Sequence, residues 1–226
     1  MILIESKRKK IENILEDHPI SKIVDVTSKG IEPFIKFSPF YPHGNIPIPY
    51  SDNKFAMSVE GIWQGLKVFE NSDIDTSKFL ITDMKNIKRT VRTNGRVLGH
   101  RKGLFSKDLL DYKTARKEIY LRTYAWVLDN ILQDLIRQLK EIAFTTDLVL
   151  LDFETNIDID NINKPLSHAG LIKRYLEKKY PEITNMKFNN KEDRNSMNNE
   201  SNVKLSNDNK KSDQIDLFKT NKSNNT

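Results

Sequence analysis

Two residues whose side chains can do acid–base or nucleophilic chemistry, Glu60 and Lys67, lie at helical spacing with the polar Gln64 between them. The pattern predicts a helix over residues 59–70, in which this i, i+4, i+7 set forms a polar stripe opposite the apolar residues. At 1.5 Å per residue, the carboxylate and the amine lie about 10 Å apart along the axis. A stripe of this kind is most often a solvated surface, and its other interpretation is the wall of a ligand groove.

Two features near this stripe favour the groove. Gly61 and Gly65 lie inside the predicted helix, where each costs about 1 kcal/mol relative to alanine. This predicts that a backbone or a ligand approaches that edge closely. Residues 33–53 contain five prolines and are predicted to be an irregular loop, and loops of this length are often functional.

The elements around the stripe are less regular. We predict helices over residues 2–16, 114–143 and 168–179, the last capped by Ser167, and a helical start at residue 86 that stops at Asn94-Gly95. A glycine-bearing loop should follow through Gly103. Branched apolar runs predict strands at residues 23–26 and 148–151. The fold class is therefore α+β, a mainly helical single domain with a few short strands.

Positive charge is concentrated in one segment. Residues 85–122 contain twelve Lys or Arg against three Asp or Glu, whereas the whole chain has a net charge of +6. Such a segment favours partners that carry phosphate, although it can also be a solvated basic face. Arg96 and Arg101 are candidate phosphate ligands because guanidinium pairs bidentately with phosphate. Tyr41 and Trp63 are candidates to stack on a base.

Composition excludes several classes of protein. The 226 residues contain no cysteine and four scattered histidines, which excludes disulfide scaffolds, thiolate zinc sites and iron–sulfur clusters. We expect no metal site and no cofactor. No apolar run approaches the ~18 residues of a spanning helix, and the first residues do not resemble a secretory signal. We therefore expect no membrane partner and an intracellular, by default cytoplasmic, location.

The domain boundary is predicted near residue 188. Residues 189–226 hold six apolar side chains among Asn, Lys, Ser, Asp and Glu, too few to offset the entropy of ordering. We predict a globular domain over residues 1–188 and a disordered Asn/Lys/Ser-rich tail over residues 189–226. The composition does not indicate an oligomeric state.

Two short motifs resemble those of a known family, the NADAR proteins. Residues 36–42 read KFSPFYP, similar to the family's NFYPSPF, and residues 58–69 read SVEGIWQGLKVF, similar to its VEHYYQAxKA. The order, the gap and the E-x-x-x-Q-x-x-K core agree. Residues 95–101, GRVLGHR, are similar to the start of the family's GRxVxxRxDW segment. The resemblance spans residues 33–160, and the family's late D-x-x-W-G has no Trp-Gly counterpart here.

The resemblance implies a NADAR-like fold and cleavage of an N-glycosidic bond in an ADP-ribosyl or phosphoribosyl adduct of a base or nucleotide. Lys67 matches the family's lysine, which forms a Schiff base with ribose, and Glu60 matches its acid/base glutamate. Asp158 or Asp160 stands for the late aspartate. Gln64 joins Arg96, Arg101, Tyr41 and Trp63 as a substrate-binding candidate.

Two alternatives to catalysis stay open at this point. A non-catalytic module could bind a nucleotide or a nucleic acid through the basic segment 85–122. A relative that has lost its chemistry could serve as an interaction protein. For the glycosidase and for the binding module, the expected partner is a phosphate-bearing, nucleotide-like ligand or a nucleic acid.

Overall fold

A computed structural model of the protein describes residues 1–182, which mix helices with three small sheets. The predicted tail, residues 189–226, and the boundary at residue 188 lie outside the described residues. The α+β class predicted from the sequence is confirmed. Within the described part of the chain, no helix is long and apolar enough to cross a membrane.

A parallel sheet of three strands organises the domain. Its strands are β1 (Ile2–Ser6), β2 (Ser21–Asp25) and β8 (Asp147–Asp152), with β8 in the middle. Helix α1 (Ile11–Asp17) connects β1 to β2. Because side chains alternate along a strand, Leu148 and Leu150 pack into the main core while Val149 and Leu151 pack against Ile14 of α1.

The first segment of the chain differs from the prediction. A single helix over residues 2–16 is wrong, because residues 2–6 pair with β8 along their whole length. The apolar residues Ile2, Leu3 and Ile4 serve as a strand here, and the helix begins only at Ile11. A short apolar run fits either structure, and the pairing partner lies more than 140 residues away.

The middle of the chain forms two antiparallel sheets around one short helix. Strands β3 (Ile46–Pro47) and β4 (Phe55–Ala56) pair first, followed by helix α2 (Val59–Gly65). Strands β5 (Lys67–Phe69), β6 (Val97–Arg101) and β7 (Leu109–Leu110) form the other sheet. The 3₁₀ turns Phe34–Phe37 and Thr76–Leu80 and the short helix α3 (Val91–Asn94) complete this region.

Two helix predictions in this region are corrected. The helix predicted over residues 59–70 ends at Gly65, and Lys67 lies on β5 instead. The Gly65 carbonyl accepts a hydrogen bond from the Asp75 backbone, and the next residues pair with β6. Residues 86–103 are helical only over α3 and then form β6, where a loop was predicted.

The long helix predicted over residues 114–143 is interrupted. It begins as α4 (Tyr112–Ala115), passes through a π-helical stretch (Arg116–Leu121) and ends as α5 (Arg122–Asn130). Helix α6 (Gln133–Thr145) then leads into β8. Between the two helices, the Gln133 side chain donates a hydrogen bond to the Leu128 carbonyl (2.7 Å) and the Asn130 side chain donates to the Trp126 carbonyl (2.8 Å). These side chains satisfy carbonyls at the end of α5, so the chain can turn there.

The strand predicted at residues 148–151 and the helix predicted after Ser167 are confirmed. Helix α7 (His168–Leu176) begins where Ser167 accepts a hydrogen bond from the Gly170 backbone. It packs against the parallel sheet. The carboxyl ends of β1, β2 and β8, the start of α7 and the start of α2 all face one region of the molecule, which is described next.

Candidate functional site

A cavity of about 470 Å³ lies at the carboxyl ends of the parallel strands. Arg8 follows β1, Thr27 and Ser28 follow β2, and residues 152–154 end β8. The opposite wall comes from α2 and from the loop segment Ser38–Phe40. Ligands of open α/β sheets bind at this edge of the strands, and the volume is in the range of small-molecule sites.

Helix α2 positions Glu60 in this cavity. Ser58 caps the helix by accepting a hydrogen bond from the Gly61 backbone (3.0 Å), and the Glu60 backbone donates to the Pro39 carbonyl (2.8 Å). The second contact joins the proline-rich loop to the helix start. Glu60 is 8% exposed, and its side chain and that of Gln64 both line the cavity.

A chain of hydrogen bonds fixes the orientation of the Gln64 amide. Its oxygen accepts from Lys67 Nζ (3.3 Å) and from the Arg89 backbone N–H (3.1 Å). Its nitrogen therefore points to Glu60 and donates to Oε1 (2.8 Å). The predicted Glu60–Gln64–Lys67 set is contiguous in space even though Lys67 has left the helix.

The environment shifts the pKa values of Glu60 and Lys67 toward each other. Burial raises the pKa of the Glu60 carboxyl, and the Gln64 hydrogen bond and the nearby cations offset this in part. Burial also lowers the pKa of the half-buried Lys67 amine; the Glu60 charge opposes this shift, and the charges of Arg89 and Lys88 add to it. Both shifts favour the neutral forms, a carboxylic acid and a free amine.

Aromatic rings surround the cavity end of α2. The Trp63 indole, which is buried, stacks on the His100 ring at a centroid distance of 3.7 Å and meets Tyr112 and Tyr120 edge-on at 5.7 and 5.8 Å. Lys67 Nζ lies 5.7 Å from the Trp63 ring centroid. Burial lowers the pKa of His100 to about 3, so this imidazole is neutral at ordinary pH.

Asp152 and His168 form a buried pair in the cavity wall. His168 Nδ1 lies 2.9 Å from Asp152 Oδ2, and Nε2 lies 2.8 Å from the Val26 carbonyl. A carbonyl only accepts, so Nε2 carries a proton. The Asp152 charge raises the pKa of His168 against the effect of burial. The Asp152 pKa is lowered, because His168, Ser167 and the Ala169 backbone outweigh desolvation. Both shifts favour the ionised forms, an imidazolium and a carboxylate.

Arg116 ties the loop over residues 156–164 to the cavity. It is 2% exposed, and its guanidinium donates to the carbonyls of Ile159 (3.0 Å), Asn161 (2.8 Å) and Lys164 (3.0 Å). The guanidinium also lies over the Tyr112 ring. Arg116 begins the π-helical stretch and Tyr120 is within it, and both line the cavity. π-Helical insertions are frequent at functional sites.

Comparison with known proteins places the chain in a family. Residues 6–172 match the model of a family of unknown function, DUF6939. The chain belongs to DUF6939. Every residue that lines the cavity falls within the matched range of the DUF6939 domain. No curated protein matches the chain.

The DUF6939 domain brings some predicted site residues together and leaves others apart. Glu60, Gln64 and Trp63 line the cavity. Lys67 is not in the lining but donates a hydrogen bond to Gln64. The other four predicted residues lie outside its lining. Tyr41 donates to Glu32, Arg96 pairs with Glu70, Arg101 pairs with Asp73, and Asp158 is an exposed loop residue whose carboxylate accepts from the Asp160 backbone.

Asp152, His168, Arg116, Lys88 and Arg8 line the cavity of the DUF6939 domain and were not among the predicted site residues. The sequence contained one indication of Asp152, because this residue directly follows the strand predicted at residues 148–151. Asp152 lines the cavity, whereas Asp158 and Asp160 do not. In residues 1–182, no group of three or more His, Asp or Glu side chains is arranged to hold a metal ion.

Proposed function

We propose that this protein cleaves an N-glycosidic bond in an ADP-ribosyl or phosphoribosyl adduct of a base or nucleotide. The observation that carries the proposal is the buried Glu60 carboxyl in the cavity, with its pKa raised and a half-buried lysine joined to it through the Gln64 amide. A carboxyl that can protonate the leaving base and an amine that can attack the sugar are the two groups that cleavage through a lysine–sugar intermediate uses.

The proposed reaction assigns one role to each group. The neutral Lys67 amine attacks the anomeric carbon, the bond from that carbon to the base nitrogen breaks, and the bond's electron pair leaves with the base. The Glu60 carboxyl gives its proton to the departing nitrogen, and the resulting carboxylate stabilises positive charge on the sugar. The bond from the anomeric carbon to the ring oxygen then breaks, one proton of the attached nitrogen passes to that oxygen, and a protonated sugar–lysine Schiff base forms. Water hydrolyses the Schiff base to the free sugar and the Lys67 ammonium, which returns one proton to Glu60.

Lys67 must change its contacts to take part. Its ammonium bonds to Gln64 and lies beside the Trp63 ring, not in the cavity lining. The lysine side chain has four rotatable methylenes, so breaking the single hydrogen bond to Gln64 frees Nζ to turn toward the cavity. Glu60 needs no such movement.

The cavity wall suits a phosphate-bearing nucleotide. Arg8, Lys88, Arg116 and the His168 imidazolium supply positive charge, and Trp63 supplies an aromatic surface for a base. Asp152 and Glu154 supply negative charge in the same wall. The cavity wall therefore carries both positive and negative groups. A ribose can bind between the carboxylates and the cations.

The relation to NADAR proteins is part of this proposal. The two motif stretches that carry the resemblance come together, because Ser38, Pro39 and Phe40 line the same cavity as Glu60 and Gln64. The Glu60 backbone is hydrogen-bonded to Pro39. This juxtaposition supports a shared arrangement of the site, and the proposed NADAR-like fold rests on it.

Turnover of defined substrates tests the proposal. The protein is incubated with an oligonucleotide carrying ADP-ribosylated guanine and, separately, with a phosphoribosyl adduct, and released base is measured by chromatography. We expect release by the wild type, and a loss of roughly 10²-fold or more in Glu60→Gln, the size of a general-acid contribution. Glu141→Gln, an exposed glutamate on α6, is the matched control. Equal rates in Glu60→Gln and Glu141→Gln would contradict the proposal.

A non-catalytic nucleotide- or nucleic-acid-binding module is the alternative. Much of the basic segment 85–122 is engaged within the protein: Arg89 and Arg116 donate to backbone carbonyls, and Arg96, Arg101, Lys113 and Lys117 pair with carboxylates. Fewer cations therefore remain to contact a phosphate backbone. Tight binding of an oligonucleotide with a steep salt dependence, unchanged in Glu60→Gln, would favour this alternative.

A further inference from the structure

A second, outer cavity of about 400 Å³ lies beside the one already described. Its lining is almost entirely polar and comes from the segments 72–78 and 88–94. Lys88 lines both cavities. The two cavities therefore share one lysine side chain as part of their walls.

The outer cavity holds an excess of positive charge. Its lining includes Lys78, Lys88 and Arg89 against one carboxylate, Asp75. Asp75 lies 3.8 Å from Lys78, at the limit of an ion pair. Two of the three cations are left without a contacting carboxylate from residues 1–182, so an anion is the complementary ligand.

Arg89 is a fixed cation in this wall. Its guanidinium donates to the backbone carbonyls of Gln64, Lys67 and Asp73 and to the Ser72 hydroxyl. All four acceptors are neutral, so the hydrogen bonds hold the group in place, and the carboxylates of Asp75 and Asp73 act on its charge without an ion-pair contact. Because the Arg89 backbone N–H also bonds to the Gln64 side chain, the outer cavity is attached directly to the amide that orients Glu60.

Lys88 differs from Arg89 in having a free head group. It is exposed, and within residues 1–182 its ammonium makes no hydrogen bond or ion pair, lying only over the Phe40 ring at 5.4 Å from the centroid. The hydroxyls of Thr90 and Thr93 are 3.2 Å apart and also face this space. A mobile ammonium, a fixed guanidinium and two hydroxyls together can bind phosphate oxygens.

We infer that a ligand with one phosphate in the inner cavity places a second phosphate in the outer cavity, and that the Lys88 ammonium contacts both phosphates. The protein should therefore prefer a nucleoside diphosphate to a nucleoside monophosphate. This inference rests on the proposed function for its choice of a nucleotide. Of the two substrate classes proposed above, it selects the one with two adjacent phosphates, and it names Lys88 as the residue that selects it.

Binding of ADP and of AMP, measured by titration calorimetry at fixed salt, tests the inference without requiring turnover. Wild type should bind ADP roughly tenfold more tightly than AMP, the effect of one charge-assisted contact. Lys88→Gln should bring the two affinities to within about twofold of each other. Thr93→Val, which alters only the outer cavity, should weaken ADP and leave AMP unchanged. Lys85→Gln, an exposed lysine that lines neither cavity, is the control for loss of charge and should keep the wild-type ratio.

Equal affinities for ADP and AMP in the wild type, or an unchanged ratio in Lys88→Gln, would overturn the inference. A short single-stranded oligonucleotide that binds more tightly than ADP, with the same dependence on Lys88, would assign the outer cavity to a nucleic-acid backbone and overturn the diphosphate class. The two proposals fail separately. Base release from a phosphoribosyl adduct with no ADP preference would remove only the outer site, and ADP preference without base release would remove only the glycosidase.

Discussion

The buried pair of Asp152 and His168 makes the stability of the domain depend on pH in a defined way. The Asp152 side chain is 5% exposed and accepts hydrogen bonds from the Ser167 hydroxyl (2.8 Å), the Ala169 backbone (3.2 Å) and the Phe153 backbone (2.7 Å), besides facing His168. Asp152→Asn removes the charge and leaves a buried imidazolium without its counter-ion. Removing one partner of a buried pair costs about 3–5 kcal/mol.

The sign of the pH effect follows from the direction of each shift. The Asp152 pKa is lowered below its ordinary value of 3.8, so its contribution is present above about pH 4 and is lost as pH falls through the lowered value. The His168 pKa is raised above 6.5, so its contribution is present below about pH 6.5 and is lost as pH rises through the raised value. The difference in free energy of unfolding between the wild type and Asp152→Asn should therefore be largest between about pH 4 and 6.5.

Urea unfolding monitored by circular dichroism, from about pH 3 to about pH 9, measures this difference. Near pH 5 the free energy of unfolding of the variant should lie about 3–5 kcal/mol below that of the wild type. Asp134→Asn, which removes an exposed carboxylate on α6, should match the wild type within about 0.5 kcal/mol. A difference between wild type and Asp152→Asn that stays constant over the whole pH range would refute the ionised pair.

Three further predictions concern residues around the cavity. Gly65→Ala would place a methyl group 2.2 Å from the Phe79 ring and should lower the free energy of unfolding by about 1–3 kcal/mol in urea titrations; a neutral effect would contradict this packing. Arg116→Lys keeps the charge but cannot reproduce three hydrogen bonds to carbonyls, so limited proteolysis should cut within residues 156–164 faster than in the wild type. If Glu60 acts as a general acid, the rate should fall as pH rises through its raised pKa, and a pH–rate profile without that descending limb would exclude the role.

The elements that local sequence determines were predictable. Residues 148–151 are an unbroken apolar run flanked by aspartates, the pattern typical of a strand that is buried on both faces. Ser167 is a capping residue directly before an apolar-periodic segment. Gly61 and Gly65 indicated a close approach, and the structure identifies the neighbours as the Lys78 carbonyl and the Phe79 ring, not a ligand.

The elements that depend on distant partners were not predictable from local pattern. Lys67 continues the helical spacing of Glu60 and Gln64, yet pairing with His100 on β6 makes it a strand residue. The strand β1 exists because β8 lies beside it. Asp152 and His168 meet because α7 packs on the sheet, a contact between residues that no spacing rule connects. Asp158 was predicted to be in the site because it matches the late aspartate of the family motif. In the structure it belongs to the loop over residues 156–164, whose backbone carbonyls accept hydrogen bonds from Arg116, and its side chain is outside the cavity lining.

Reductive trapping tests the central claim most directly. The protein is incubated with free ADP-ribose and a mild hydride reductant, and its intact mass is measured beside those of Lys67→Ala and of Lys140→Ala, an exposed lysine on α6. A Schiff base between the ribose and Lys67 predicts one reduced adduct on the wild type and on Lys140→Ala, and none on Lys67→Ala. Equal adducts on all three folded proteins, or none on any, would contradict nucleophilic catalysis by Lys67.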